Sequence, residues 1–217
     1  MGFLINRFYI LLSRIFIILP TVLISLTGHE FAHGWVSAKL GDPTPKAEGR
    51  LSLNPLKHLD PVGAVLMLLT GFGWAKPVSV NPMYYKDRKK GMALVALAGP
   101  LANLIMAFVS AVLGILLLKI FHNENVQSII GMVLSIFVRM NLSFMVFNLI
   151  PIPPLDGAKI LGMFLPNRTY YRMLEYERYA IILIMILSLT GAFDAIIGTG
   201  VGALWNVIWR LASAVAA

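Results

Sequence analysis

The chain has 217 residues, of which 58% are hydrophobic and only 13% are charged, and its mean hydropathy is +0.79. In soluble domains about a quarter of the residues are charged. The composition of this chain therefore excludes an ordinary soluble domain and indicates an integral membrane protein. The net charge of +8 is also a feature of proteins that bind nucleic acid, which is therefore an alternative partner. There are no cysteines, so a metal site would have to use His, Asp, Glu and similar ligands.

Several apolar stretches approach the roughly 20 residues that a membrane span requires. They cover residues 8–27, 92–118 and 126–150, with shorter or Gly-interrupted ones at 179–189 and 195–211. A further stretch at 62–72 is too short to cross alone and predicts a half-span or re-entrant segment. We therefore predict an all-α polytopic membrane protein with about five or six membrane helices. A small extended or re-entrant element is expected between the first and second long helices.

The first helix is predicted over about residues 8–39, with Pro20 as a kink. Its early basic residues and apolar run are also features of a signal peptide, but no A-x-A-like cleavage site follows, which favours a retained anchor. In the connection that follows, alternation over residues 49–55 predicts a short strand, and Asp60 before a proline predicts a helix cap. Residues 75–80 predict an extended edge segment, and residues 122–124 a turn between two long helices.

The positions of the basic residues favour a topological role over nucleic-acid binding. With the end of the first helix placed inside, only Arg7, Arg14 and Lys119 of the 18 Lys and Arg residues fall outside, while Arg139 lies within a span. The remaining 14 lie on the inner side, as the positive-inside rule requires. No nucleic-acid partner is expected. The inner side is predicted to be the cytoplasmic side of the plasma (inner) membrane.

The motif His29-Glu30-Phe-Ala-His33 lies at the end of the first apolar helix. A helix places His29 and His33 on one face, one turn apart, as two ligands of a zinc ion require. Glu30 can then reach a water at the metal, and this pattern is typical of metalloproteases. The alternative is a set of interfacial polar groups bonded to headgroups or backbone. Ionisable groups in an apolar helix are costly without a partner, which favours the metal.

A catalytic zinc ion needs a third protein ligand and an open position. Asp156 is the favoured candidate because it follows a proline-rich break on the side where the two histidines emerge, although it could instead cap the next helix. Asp194 falls on the opposite side in the predicted topology, and Asp60 has a capping role. The other acidic candidates lie in polar or charge-mixed connections and are Asp42, Asp87, Glu124, Glu175 and Glu177.

Two motifs together resemble the site-2 protease family of intramembrane zinc metalloproteases. They are "HEFAH" at 29–33 and "NLIPIPPLDG" at 148–157, and "GP-x-x-N" at 99–103 fits the family's core helix. The resemblance implies that His29, His33 and Asp156 are zinc ligands, and that Glu30 is the general base. It implies that Asn148 stabilises the transition state or holds substrate, while a helix-ending role for Asn148 stays open. The chain resembles a compact form, without a PDZ-type or nucleotide-sensing domain.

The function predicted from these motifs is hydrolysis of peptide bonds in or near membrane spans by one protease domain, residues 1–217. The resemblance implies membrane-spanning substrates such as anti-sigma factors or membrane-tethered regulators, in contact with the lipid bilayer. A metal-binding transporter and a catalytically silent zinc-binding scaffold are the alternatives. His58 is expected to be structural, and Asn103 to form hydrogen bonds between helices, while a role in the site stays open for both.

Overall fold

The computed structural model describes residues 12, 14–70 and 75–217, and nine α-helices account for most of them. A π-helical turn, Arg14–Ile18, precedes the first helix and lies next to Pro20, which cannot donate a backbone hydrogen bond. In chain order the α-helices are α1 (Leu19–Lys39), α2 (Thr44–Ala47), α3 (Pro61–Thr70), α4 (Arg88–Ile120), α5 (Glu124–Asn148), α6 (Asp156–Gly162), α7 (Asn167–Glu175), α8 (Glu177–Leu189) and α9 (Ala192–Ala216).

Within the described residues, four helical segments are long and apolar enough to cross a bilayer. They are Ile15–Lys39, Arg88–Ile120, Glu124–Asn148 and Asp194–Ala216. The predicted helical membrane fold is confirmed, but the count of five or six membrane helices is slightly too high. The 13 residues of α8 rise only about 20 Å, and the 10 residues of α3 even less, against roughly 30 Å of hydrocarbon. Parts of the predicted stretches 8–27 and 62–72 lie outside the described residues.

Because α8 is too short to cross the bilayer, the last span runs in the direction opposite to the predicted one. Ile197, near the start of α9, packs with Leu155 beside the site described below, and Lys119 at the end of α4 donates to the Ala216 carbonyl over 2.5 Å. Helix α9 therefore runs parallel to α4 and ends at the opposite end of the molecule from that site. The predicted positions of Arg210 and Asp194 were consequently wrong, because both were assigned on the assumption that residues 179–189 cross. The excess of basic residues at the site's end persists.

Helix α4 is the central element and contacts α1, α5, α6 and α9. Small residues on α4, Ala107 and Ala111, are fully buried against Val138 and Leu142 of α5, and Ala212 of α9 joins the same cluster. Small side chains allow membrane helices to approach closely, so packing and dispersion contacts hold the bundle together where lipid is as apolar as the interface.

The connection between α1 and α4 lies at one end of the bundle. The predicted strand at 49–55 is wrong: the Arg50 and Ser52 N–H groups bond locally, to the carbonyls of Pro45 and Arg50. Asp60 caps α3 as predicted, since its Oδ1 accepts the Gly63 N–H over 2.9 Å. Residues 75–80 lie outside regular secondary structure, with one antiparallel bridge between Leu59 and Ala75.

A buried carboxylate fastens this connection to the end of α1. Asp42 is 1% exposed and accepts hydrogen bonds from Ser37 Oγ (2.7 Å), the Thr44 N–H (2.9 Å) and the Asn81 N–H (2.7 Å). Burial alone would raise the pKa of Asp42, but the hydrogen bonds from Thr44, Asn81 and Ser37 hold it below its ordinary value. The charged form is therefore the one that the fold requires.

We predict that Asp42→Asn destabilises the protein by about 2 kcal/mol at neutral pH, because a carboxamide cannot accept all three hydrogen bonds. A lowered folded-state pKa gives stability that is present above the unfolded value of about 3.9 and is lost as the pH falls through the folded-state value. Thermal unfolding in detergent should therefore show a smaller acid-induced loss below about pH 4 for the variant than for the wild type. The exposed acid Glu175, replaced by Gln, is the control. Equal acid sensitivity of the wild type and Asp42→Asn would contradict this role.

Candidate metal centre

Two histidines of α1 face the interior of the bundle from successive turns. His29 is 3% exposed and His33 is 8% exposed, and their rings meet edge to face with centroids 4.5 Å apart. The two Nε2 atoms are 2.9 Å apart. The helical spacing in the motif thus brings both imidazoles to one point, as predicted from the sequence.

Asp156 reaches the same point from the other side of the bundle. It is the first residue of α6, is 4% exposed, and makes no capping hydrogen bond, which disfavours the alternative role of helix cap. Its Oδ2 lies 3.1 Å from the Nε2 atom of each histidine. In the described part of the chain, these three residues form the one group of at least three His, Asp or Glu side chains arranged to hold a metal ion.

The three facing atoms fit a tetrahedral metal ion. Nitrogen and oxygen lone pairs at separations of 2.9–3.1 Å repel one another unless protons or a cation lie between them. Zinc bonds of about 2.0–2.1 Å would place neighbouring ligands roughly 3.3 Å apart, so an ion at this point requires only small outward shifts. Two imidazoles and one carboxylate leave a fourth position for water or substrate, as in catalytic zinc sites.

Both imidazoles are oriented by acceptors behind them. His29 Nδ1 lies 2.6 Å from Asn103 Oδ1, and His33 Nδ1 lies 2.7 Å from the Val95 carbonyl oxygen. Since each Nδ1 faces an acceptor, it carries the hydrogen, and each Nε2 keeps its lone pair for the shared point. Such partners fix the tautomer and ring orientation of metal-binding histidines.

A buried polar network continues from Asn103 into the bundle. Asn103 Nδ2 donates to Asn141 Oδ1 (3.0 Å) and to the Ser25 carbonyl (3.3 Å), and Asn141 Nδ2 donates to Ser25 Oγ (2.9 Å). All three residues are fully buried. The helix-bonding role predicted for Asn103 is therefore observed together with a contact to His29. Asn141 was missed, although it lies seven residues, about two helical turns, before Asn148 on the same helix.

Two glycines create the space in which the polar groups meet. A Cβ atom at Gly99 would lie 2.5 Å from His29 Cε1 and 2.5 Å from His33 Nε2. A Cβ at Gly157 would collide with the carbonyl oxygens of Leu149 and Ile150. Glycine at 99 is thus required by the imidazoles, and glycine at 157 lets α6 begin against the preceding loop.

The second oxygen of Asp156 has a partner of its own. Lys159, one turn later in α6, places Nζ 3.2 Å from Oδ1. Burial alone would raise the pKa of Asp156, but its contacts with His29, His33 and Lys159 hold it well below its ordinary value. The carboxylate is therefore ionised, with one oxygen toward the histidines and the other toward the lysine.

Glu30 borders the same space and is bound by the segment between α3 and α4. Its Oε2 accepts the Val78 N–H over 2.8 Å. The segment is also anchored by the Lys76 N–H, which donates to the His58 carbonyl over 2.9 Å. Val78 itself is buried near Gly34 of α1. Residues 76–80 therefore lie along the open side of the histidine pair.

A cavity of about 350 Å³ opens beside these groups. His29, Glu30, His33 and Asp156 line it together with Asn148, Lys159 and the segment that contains Val78. Asn148 is the last residue of α5, and its Nδ2 donates to the Phe144 carbonyl over 3.0 Å. The helix-ending contact that the sequence left open is present, and the same side chain faces the cavity.

The remaining sequence candidates lie elsewhere. His58 is 2% exposed, does not line this cavity, and places Nε2 2.8 Å from the Ser52 carbonyl oxygen, which agrees with a structural role. Among the acidic candidates, Asp60 and Asp87 accept hydrogen bonds at helix starts. The backbone groups of Val95 and Val78 were not foreseen, since no side-chain pattern reveals them.

Comparison with known proteins agrees with this geometry. Residues 16–191 match the model of Peptidase family M50, a range that includes the three converging side chains, Glu30 and Asn148. No solved structure matches the chain.

Two curated relatives match most of the chain, and a third matches 46% of it. The protein named "Putative zinc metalloprotease YwhC" of Bacillus subtilis (strain 168) is 40% identical over 192 residues, covering 85% of this chain and 86% of that protein. Rip2 of Mycolicibacterium smegmatis, with the same description, is 29% identical over 79% of this chain and 66% of its own length. MJ0611 of Methanocaldococcus jannaschii, also so described, is 37% identical over 46% of this chain and 49% of its own length. The chain therefore belongs to Peptidase family M50, the site-2 protease family, and is a membrane zinc metalloprotease.

Proposed function

We propose that the protein hydrolyses peptide bonds in or near the transmembrane segments of other membrane proteins. The observation that carries this proposal is the buried meeting point of His29, His33 and Asp156 beside Glu30 and a cavity, in a bundle of span-forming helices. Membership in a metalloprotease family favours this enzyme over the transporter and the silent scaffold that the sequence left open.

In the proposed mechanism His29, His33 and Asp156 would hold the zinc ion, with His29 Nε2, His33 Nε2 and Asp156 Oδ2 as the facing atoms. When bound there, zinc supplies positive charge that polarises a carbonyl and acidifies a water. Asn103 and the Val95 carbonyl orient the two imidazoles so that both Nε2 atoms face the point where Asp156 Oδ2 also lies. Lys159 engages the other oxygen of Asp156, so that the carboxylate offers a single oxygen to the metal.

Glu30 is proposed as the general base. The Val78 N–H occupies Oε2 and so fixes the carboxylate, while Oε1 has no hydrogen bond within the described residues and is left to accept a proton from water. Glu30 then passes that proton to the leaving amine. The cavity is large enough for several water molecules beside the base.

Asn148 is proposed to bind the substrate or the developing oxyanion. Its Nδ2 uses one hydrogen on the Phe144 carbonyl, and the second hydrogen remains for a ligand in the cavity. A preorganised donor of this kind stabilises negative charge that develops in the transition state.

The substrate is proposed to be a single membrane-spanning segment that unwinds locally at the site. Pro77, Val78 and Val80 line the cavity, and residues 75–80 could pair with the unwound segment as an added strand. Anti-sigma factors or membrane-tethered regulators are the proposed substrate class. We further propose an inner-membrane location with the site toward the cytoplasm, and a single protease domain over residues 1–217.

We predict that Glu30→Gln keeps the zinc ion but lowers cleavage of single-span substrates about a thousandfold or more, because glutamine can still accept the Val78 N–H but cannot take a proton. Zinc content and turnover are measured on the same detergent-purified sample. Glu48→Gln, at an exposed glutamate outside the cavity, is the control and should cleave normally. Normal cleavage by Glu30→Gln would disprove the proposed base.

We predict that Asp156→Ala lowers zinc affinity more than about a hundredfold, since removing a ligand should cost more than removing one of the outer partners of a metal site. Competition with a fluorescent chelator measures the affinity without any substrate. Asp194→Ala, which removes an exposed carboxylate outside the group, should bind zinc like the wild type. Unchanged affinity in Asp156→Ala would remove this residue from the ligand set.

We predict that Gly99→Ala lowers zinc affinity about ten- to a hundredfold, because the new methyl group must displace both imidazoles. The same chelator competition measures the effect. Gly131→Ala is a matched control on α5, where an added Cβ would meet nothing within 4 Å. Equal affinity in the two variants would show that the space at Gly99 does not set the positions of the ligands.

A further inference from the structure

An arginine in the middle of a membrane span has no role in the site. Arg139 of α5 lies fifteen residues after Glu124 and nine before Asn148, which places it about 22 Å and 14 Å from the two helix ends. Its side chain is exposed on the surface of the bundle. A charged group at this depth costs several kcal/mol in lipid unless it is paired or hydrated, and neither span end is near enough for an easy contact with headgroups.

Among the described residues, Arg139 has an aromatic partner but no anionic one. Its guanidinium lies 4.9 Å from the centre of the Trp205 ring of α9. Within residues 14–70 and 75–217, no carboxylate forms an ion pair with it, and no carbonyl accepts a hydrogen bond from it. A cation–π contact offsets part of the cost of the charge, but the described residues provide no acceptor for the N–H donors of the guanidinium.

The neighbouring face of α9 is open to close approach by another helix. Gly198 and Gly202 are four residues apart, both are exposed, and a Cβ atom at either would meet nothing within 4 Å. Trp205 follows one turn later on the same face of α9. The exposed face formed by the two glycines therefore extends to the Trp205 ring that Arg139 contacts. Small residues at this spacing let the backbones of two membrane helices come into contact.

The positive charge of Arg139 indicates which kind of helix binds this surface. A second copy of the chain cannot neutralise Arg139 at mid-span, because the four spans contain one acidic residue away from their ends, Glu30, which borders the cavity. We propose that Arg139 and the Gly198–Gly202 face of α9 bind a transmembrane helix of a partner protein that carries an aspartate or glutamate at mid-membrane depth. This surface is separate from the metal centre and goes beyond the proposed hydrolysis.

The test uses a synthetic probe helix of defined sequence. The probe is a leucine- and alanine-rich single-span peptide with one glutamate at its centre, compared with a peptide that differs by glutamine at that position. The protein has no cysteine, so His122→Cys in the exposed turn between α4 and α5 provides a single labelling position. Resonance energy transfer between labelled protein and peptide is measured in phosphatidylcholine nanodiscs, without any protease assay.

We expect the glutamate peptide to associate about tenfold more strongly than the glutamine peptide, which is the size of one interhelical polar contact in a membrane. Arg139→Leu should abolish this preference, and Gly202→Leu should weaken both peptides by blocking close approach. Arg210→Leu, which removes another exposed arginine near the far end of α9, should behave like the wild type.

Three results would overturn the proposal. The first is equal association of the two peptides, and the second is an unchanged preference in Arg139→Leu. The third is that Arg139→Leu lowers the thermal stability of the protein only in phosphatidylglycerol nanodiscs, while neither peptide is preferred. That result would show that the arginine binds a lipid phosphate. Since no cleavage is measured, each of these results leaves the proposed hydrolytic function standing.

Discussion

Three lone-pair-bearing atoms lie within 3.1 Å of one another in the interior of a membrane protein, and this contact is costly without a cation. The surrounding structure forces the contact. The Nδ1 sides of His29 and His33 face acceptors, Gly99 leaves no side chain between the rings, and Asp156 is held by the start of α6. A divalent ion bound there would turn this mutual repulsion into attraction, and the surrounding contacts hold the three atoms where such an ion would fit.

The polar groups behind the site also join the helices to one another. Ser25, Asn103 and Asn141 belong to α1, α4 and α5, and each is fully buried with hydrogen bonds to the others. In an apolar environment these amides have few alternative partners, so the relative positions of three spans are coupled to the orientation of His29. Packing of Ala107 and Ala111, one and two turns beyond Asn103 on α4, against α5 and α9 then extends the same arrangement through the bundle.

Sequence patterns revealed the chemistry better than they revealed the topology. The helical spacing of His29 and His33 and the proline-rich break before Asp156 pointed to groups that the structure brings together. The count of spans was overestimated because hydropathy does not show that α8 stops after 13 residues, and the side of Arg210 was misassigned as a result. The contact of Glu30 with a backbone N–H could not be foreseen, because any residue except proline supplies that donor.

X-ray absorption spectroscopy at the zinc edge, on the detergent-purified wild-type protein, tests the central claim most directly. We predict an inner shell of two imidazole nitrogens and oxygen ligands at about 2.0–2.2 Å, with the multiple scattering that imidazole rings produce. A zinc ion with one imidazole or none, or a protein that binds no zinc at all, would contradict the assignment of His29, His33 and Asp156 to a single metal centre.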